Sequence, residues 1–134
     1  MTITRQLIPL STKESEAFMW GLAQIGDYVT RIPTDASDPL FILLAAGWPR
    51  RAIANACEEL MPVVCAGSLT DELSPLERAI LRLCVENTTW IDCYRTHEIT
   101  ADNPVLIEEA LFTLRSLAAK LELLGIEVNH IPFD

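Results

Sequence analysis

The chain has 134 residues, half of them hydrophobic and 22% charged, with a formal net charge of −9 and a sequence pI near 4.6. It is of single-domain length, too apolar for disorder, and long enough to bury roughly two-thirds of its unfolded surface without a metal or disulfide staple. Residues 1–56 hold five acids and five bases, whereas 57–134 hold fourteen acids and five bases, so the second part disfavours a phosphate backbone and suits a basic partner.

Thr2 to Ile8 alternates loosely between apolar and polar residues, as a strand does. Ser11-Thr12-Lys13-Glu14 has the spacing of a capping box and opens a helix expected over 12–26. The polar stretch Asp27 to Ser37, which holds Pro33, reads as a connector. Asp38-Pro39 then opens a helix over 39–46, which Gly47 should close in a left-handed conformation. Trp48-Pro49 opens another over 49–61, with Pro62 as its expected stop and Val63 to Leu73 as a second connector. Ser74-Pro75-Leu76-Glu77 joins a proline at the first helical position to a capping box and predicts a helix over 75–87. Further helices follow at 89–98 and, after Asn103-Pro104, at 104–124. Ile126 to Ile131 alternates again and is placed to pair with Thr2 to Ile8. With no internal repeat and no Gly/Ser-rich linker, the expectation is an all-α single domain, 1–134, of five to six helices with a short terminal β-ribbon.

In the last helix Ile107, Leu111, Leu114, Ala118 and Leu121 follow steps of three and four, and Ala110, Leu117 and Leu124 widen that seam. Leu106, Phe112 and Leu123 lie off it. A helix apolar over so much of its circumference is either the central helix of the domain, the favoured expectation, or a seam against a second copy. A mean hydropathy of +0.25, high for a small monomer, makes a homodimer the expected form. The longest apolar stretch, Leu40 to Trp48, is far short of the ~20 residues of a bilayer crossing. Residues Met1 to Arg5 lack the pattern of an export signal, and the expected location is cytoplasmic.

Residues 74–131 run helix, turn, helix, loop, long helix and short strand, and Leu73 to Leu83 resembles the first helix of winged-helix regulators and the opening of the response-regulator output domain. Leu121-Glu122-Leu123-Leu124-Gly125-Ile126 is similar to the step by which winged helices leave the recognition helix and enter the wing. The resemblance implies a winged-helix-like C-terminal part with Pro104 to Leu114 as recognition helix. That helix offers Val105, Leu106, Ile107, Glu108, Glu109, Ala110 and Phe112 where base edges and phosphates need Arg, Lys, Asn or Gln. Glu108, Glu109 and Phe112 therefore suit a protein partner. Phe41 to Ala56 resembles a helix-turn-helix core, with Gly47 in the turn and Ile42, Ala46, Trp48, Ile53 and Ala56 at the apolar places. Leu43 stands where the family usually has Ala and would crowd the helix crossing. The turn is also similar to the first turn of ubiquitin-associated domains. This resemblance implies that Arg50, Arg51 and Asn55 face outward, and Trp48, at the turn beside the two arginines, is a candidate contact residue in its own right. Two arginines at a helix start are also what a solvated surface offers, with Glu58 and Glu59 in the same helix to offset them.

No catalytic constellation stands out. Cys93 and His97 are four apart and could share a helix face, but a zinc site needs more ligands and a nucleophile needs an oxyanion loop. Cys57, Cys65 and Cys84 sit among Ala, Val and Leu and are expected to be buried free thiols. Glu58-Glu59 and Glu108-Glu109 diverge by about 100° on a helix, and the glycines form no phosphate loop. Trp20, Trp48 and Trp90 are first of all core candidates. The expectation is a non-enzymatic protein-contact module without cofactor or metal, self-associating, with an acidic surface for a basic partner, including the groove of a nucleic-acid-binding protein. The alternative is a regulator that binds DNA through the hairpin around Gly47.

Overall fold

A computed structural model describes residues 7–28, 39–86, 104–129 and 131. Within them run β1 (Leu7–Pro9), α1 (Thr12–Tyr28), α2 (Pro39–Ala45), α3 (Arg50–Cys65), β2 (Ser68–Thr70), α4 (Pro75–Glu86) and α5 (Pro104–Leu123). The described chain is mostly helical, with one small antiparallel sheet. The helix expected at 89–98 lies outside the described residues.

Local chemistry sets the helix ends. At α1 the Ser11 N–H donates to Glu14 Oε1 at 2.8 Å, and the Glu14 N–H donates back to Ser11 Oγ at 3.2 Å. Ser74 and Glu77 repeat this exchange at α4, at 2.9 and 3.1 Å, so both boxes satisfy donors that a helix start leaves orphaned. Gly47 closes α2 at φ 98°, with its own N–H on the Leu44 carbonyl and that of Trp48 on the Leu43 carbonyl. Gly125, at φ 79°, ends α5 through the same pattern, which returns the Ile126 N–H to Leu121.

Pro62 does not stop α3, which continues to Cys65. The ring lies on the solvent face, where an unpaired carbonyl can meet water, while Leu60 and Val64 on the inner face are fully buried. Burying a valine at ~1.5 kcal/mol or more outweighs one exposed hydrogen bond. The turn after α3 instead depends on Gly67 at φ 85°. The expected connector 63–73 thus contains the end of α3 and strand β2.

The expected terminal ribbon is also corrected. A strand is present near the N-terminus, but it pairs with β2 in the register Leu7 to Thr70, Ile8 to Leu69 and Pro9 to Ser68. Ile8 and Leu69 both point inward, and the alternation has one buried residue per strand. Residues 126–129 form no strand: Ile126 is buried and the Asn129 N–H donates to Glu86 Oε1 at 3.0 Å.

The core is one cluster fed by all five helices and both strands, with Phe18, Leu22 and Ile25 from α1 meeting Ile53, Leu60 and Val64 from α3. The most extensive helix pair is α1 on α3, while α4 and α5 pack on each other and on α1. Helix α5 is therefore not the wrapped central helix. It buries Leu114, Leu117, Ala118 and Leu121, but leaves Phe112 and Leu123 in solvent. Arg78 ties α4 to the end of α5, donating from Nη1 to the Leu124 carbonyl at 2.7 Å and from Nε and Nη2 to Leu73 and Asp71 at 3.3 Å each.

Candidate functional site

The residues singled out by sequence fall on two surfaces. The first is the outer face of α5, where Glu108, Glu109 and Phe112 are all exposed and Phe112 keeps 75% of its surface in water. Phe112 also walls a cleft of about 450 Å³, whose other lining comes from Ser11 to Glu14 at the start of α1 and from Thr113 and Ser116 on α5. Lys13 crosses this junction to Glu109 at 3.1 Å, with both groups in solvent, so the pair adds little stability. The Thr113 hydroxyl donates to the Glu109 carbonyl at 3.0 Å and turns inward.

Beneath the cleft lies a polar knot. Glu14, only 3% exposed, accepts from Lys120 Nζ at 2.6 Å and from Ser116 Oγ at 2.9 Å, besides the Ser11 N–H. Lys120 also donates to the Pro9 carbonyl at 2.7 Å, so one ammonium joins β1, α1 and α5. Burial opposes ionisation of Glu14, but the Lys120 ammonium and the Ser11 and Ser116 donors outweigh it and hold the carboxyl below its ordinary value. The capping box signalled Glu14 as a helix-start residue only. Nothing in the spacing of the last helix marks Lys120 as its partner, because the two meet only where α1 crosses α5.

The second surface is the α2–α3 hairpin. Arg51 and Asn55 are exposed one turn apart on α3, and Arg50 is half-buried. Trp48 is half-buried as well, packed against the core. Of the apolar helix-turn-helix places, Ile53 and Ala56 are buried, Ile42 is half-buried and Ala46 is exposed; Leu43, the oversized residue, is fully inside. The more exposed tryptophan is Trp20, on α1, at 40%. Trp90 lies outside the described residues.

The thiols divide. Burial pushes Cys57 up to about 12 and raises Cys84 further, so both stay protonated and inert. Cys65 is exposed, contrary to expectation, because the continuation of α3 past Pro62 places it on the outer side of the last turn. Cys93 and His97 lie outside the described residues. Among the described residues no group of three or more His, Cys, Asp and Glu side chains gathers as a metal site would require, and no helix is long and apolar enough to cross a membrane.

Comparison with protein-family models, with curated proteins and with solved structures finds no match to this chain.

Proposed function

We propose that this chain is a non-enzymatic protein-contact module, cytoplasmic and self-associating, whose acidic C-terminal part receives a basic partner. The observation that carries the reading is Phe112, a large apolar side chain held three-quarters in water on a helix whose neighbouring positions are Glu108 and Glu109. Exposed aromatics bordered by polar groups are what protein interfaces bury, and carboxylates around them select cations and repel phosphate. In the winged-helix-like reading of the C-terminal part, α5 occupies the place of a recognition helix yet presents carboxylates and an aromatic. The basic groove of a nucleic-acid-binding protein is a partner of suitable charge. Titration with an amphipathic Lys/Leu helical peptide tests this: binding should weaken as salt rises and be lost in Glu108→Gln with Glu109→Gln. Binding unchanged in that variant would refute the assignment.

The second reading, a regulator that binds DNA through the hairpin around Gly47, is favoured by the joint exposure of Arg51 and Asn55 on α3. It requires salt-sensitive binding of random duplex at low ionic strength, lost in Arg50→Ala with Arg51→Ala. The leading reading expects no such binding.

A further inference from the structure

The outer face of α5 carries a pattern that says what covers it. On an α-helix, residues about three turns apart return to the same side. Phe112 and Leu123 are so spaced, with Ala119 between them on the same line, and all three are exposed. Leu123 keeps 63% of its surface in water. The apolar line is about 16 Å long at the helical rise. Arg115 and Glu122, both exposed, border it on the same flank.

From this arrangement we propose that a second copy of the chain docks on α5, antiparallel and twofold-related, with each Phe112 against the partner's Leu123. The proposal rests on the self-association included in the reading above and names its surface. In an antiparallel pair with a twofold axis, the same flank of each helix meets across the seam. The register that sets Phe112 on the partner's Leu123 also brings Arg115 to within two residues, about 3 Å along the axis, of the partner's Glu122, and by symmetry does so twice. In a parallel twofold pair the same flank of each helix falls on opposite sides of the seam, so Arg115 and the partner's Glu122 do not meet. The flank is thus self-complementary in the antiparallel orientation alone. A guanidinium has five donors, so Arg115 can take this contact in addition to those within its own chain. Ala119 falls near the twofold axis, where a small side chain lets two helices approach to roughly 8–10 Å. The cleft walled by Phe112 gives the partner's Leu123 a recess rather than a flat surface. Glu108, beyond Phe112, then lies at the end of the seam and leaves an acidic edge in each copy for a basic partner.

Sedimentation equilibrium on the full chain tests the proposal. Every changed position is exposed, so the fold is retained, and circular dichroism checks that it is. The wild type should dimerise. Phe112→Glu and Leu123→Glu should each weaken the dimer on the order of a hundredfold, since either change removes two apolar contacts per pair. Arg115→Glu and Glu122→Arg should each weaken it by about tenfold by opposing like charges, and the double swap should recover most of the loss. A wild type that stays monomeric overturns both self-association and this seam. A dimer indifferent to Phe112→Glu and Leu123→Glu overturns the seam alone and leaves self-association standing. A dimer broken by those changes but not recovered by the double swap overturns the antiparallel register.

Discussion

Replacing Glu14 by Gln keeps the shape of the side chain and removes its charge from the knot under the cleft. The carboxylate is nearly inaccessible and meets Lys120 Nζ at 2.6 Å, whereas the Lys120 side chain keeps a quarter of its surface in water and has the Pro9 carbonyl as a second acceptor. Breaking a fully buried pair costs about 3–5 kcal/mol, and a charged hydrogen bond contributes about 1.5–3 kcal/mol. Because Lys120 is partly hydrated, the lower end applies, and the expected loss is about 2 kcal/mol at neutral pH. The midpoint of urea unfolding should fall by roughly 1 M for a chain of this size. The pH dependence follows from the direction of the Glu14 shift. A carboxyl held below its ordinary value contributes stability that is fully present above the unfolded value, ~4.3, and is lost as pH falls through the folded value. The gap between wild type and Glu14→Gln should therefore be full at pH ~7 and shrink progressively in acid, below pH ~4.3. Equal midpoints at neutral pH, or a gap that stays constant into acid, would refute the reasoning.

Gly47→Ala should cost about 1–2 kcal/mol in thermal or urea unfolding, because φ is 98° there while nothing lies within 4 Å of an added Cβ, so the penalty is purely conformational. Arg78→Ala strips the Leu124, Leu73 and Asp71 carbonyls of their shared donor and should destabilise by about 2–3 kcal/mol, with the earliest loss of amide protection at the end of α5 by hydrogen exchange. In a Cys93→Ser background, a disulfide reagent near neutral pH should modify Cys65 rapidly and Cys57 and Cys84 only at the rate of unfolding, given their burial. Three thiols reacting at one rate would contradict the packing of α3 against α4.

What could be read from the sequence was local. Ser11 with Glu14, Ser74 with Glu77, and Gly47 mark helix ends through contacts made within one turn, and each is found where its spacing places it. What could not be read was decided at a distance. The run of α3 through Pro62 reflects the burial of Val64 against the rest of the core. Strand β2 was hidden in an expected connector because its partner, β1, lies far back in the chain. The candidate site divides in the same way. Phe112 and Leu123 stood off the apolar seam of the last helix already in sequence, and both are exposed. Glu14 gave no sign of its tie to Ser116 and Lys120, which exists only once α1 crosses α5.

The most direct test of a protein-contact role is the mass of the chain in solution as a function of concentration, measured side by side for wild type and Phe112→Glu. The account predicts that the wild-type mass rises from 14.9 kDa toward twice that value while Phe112→Glu, folded alike, stays at the single-chain mass. A wild type that holds the single-chain mass throughout would contradict it.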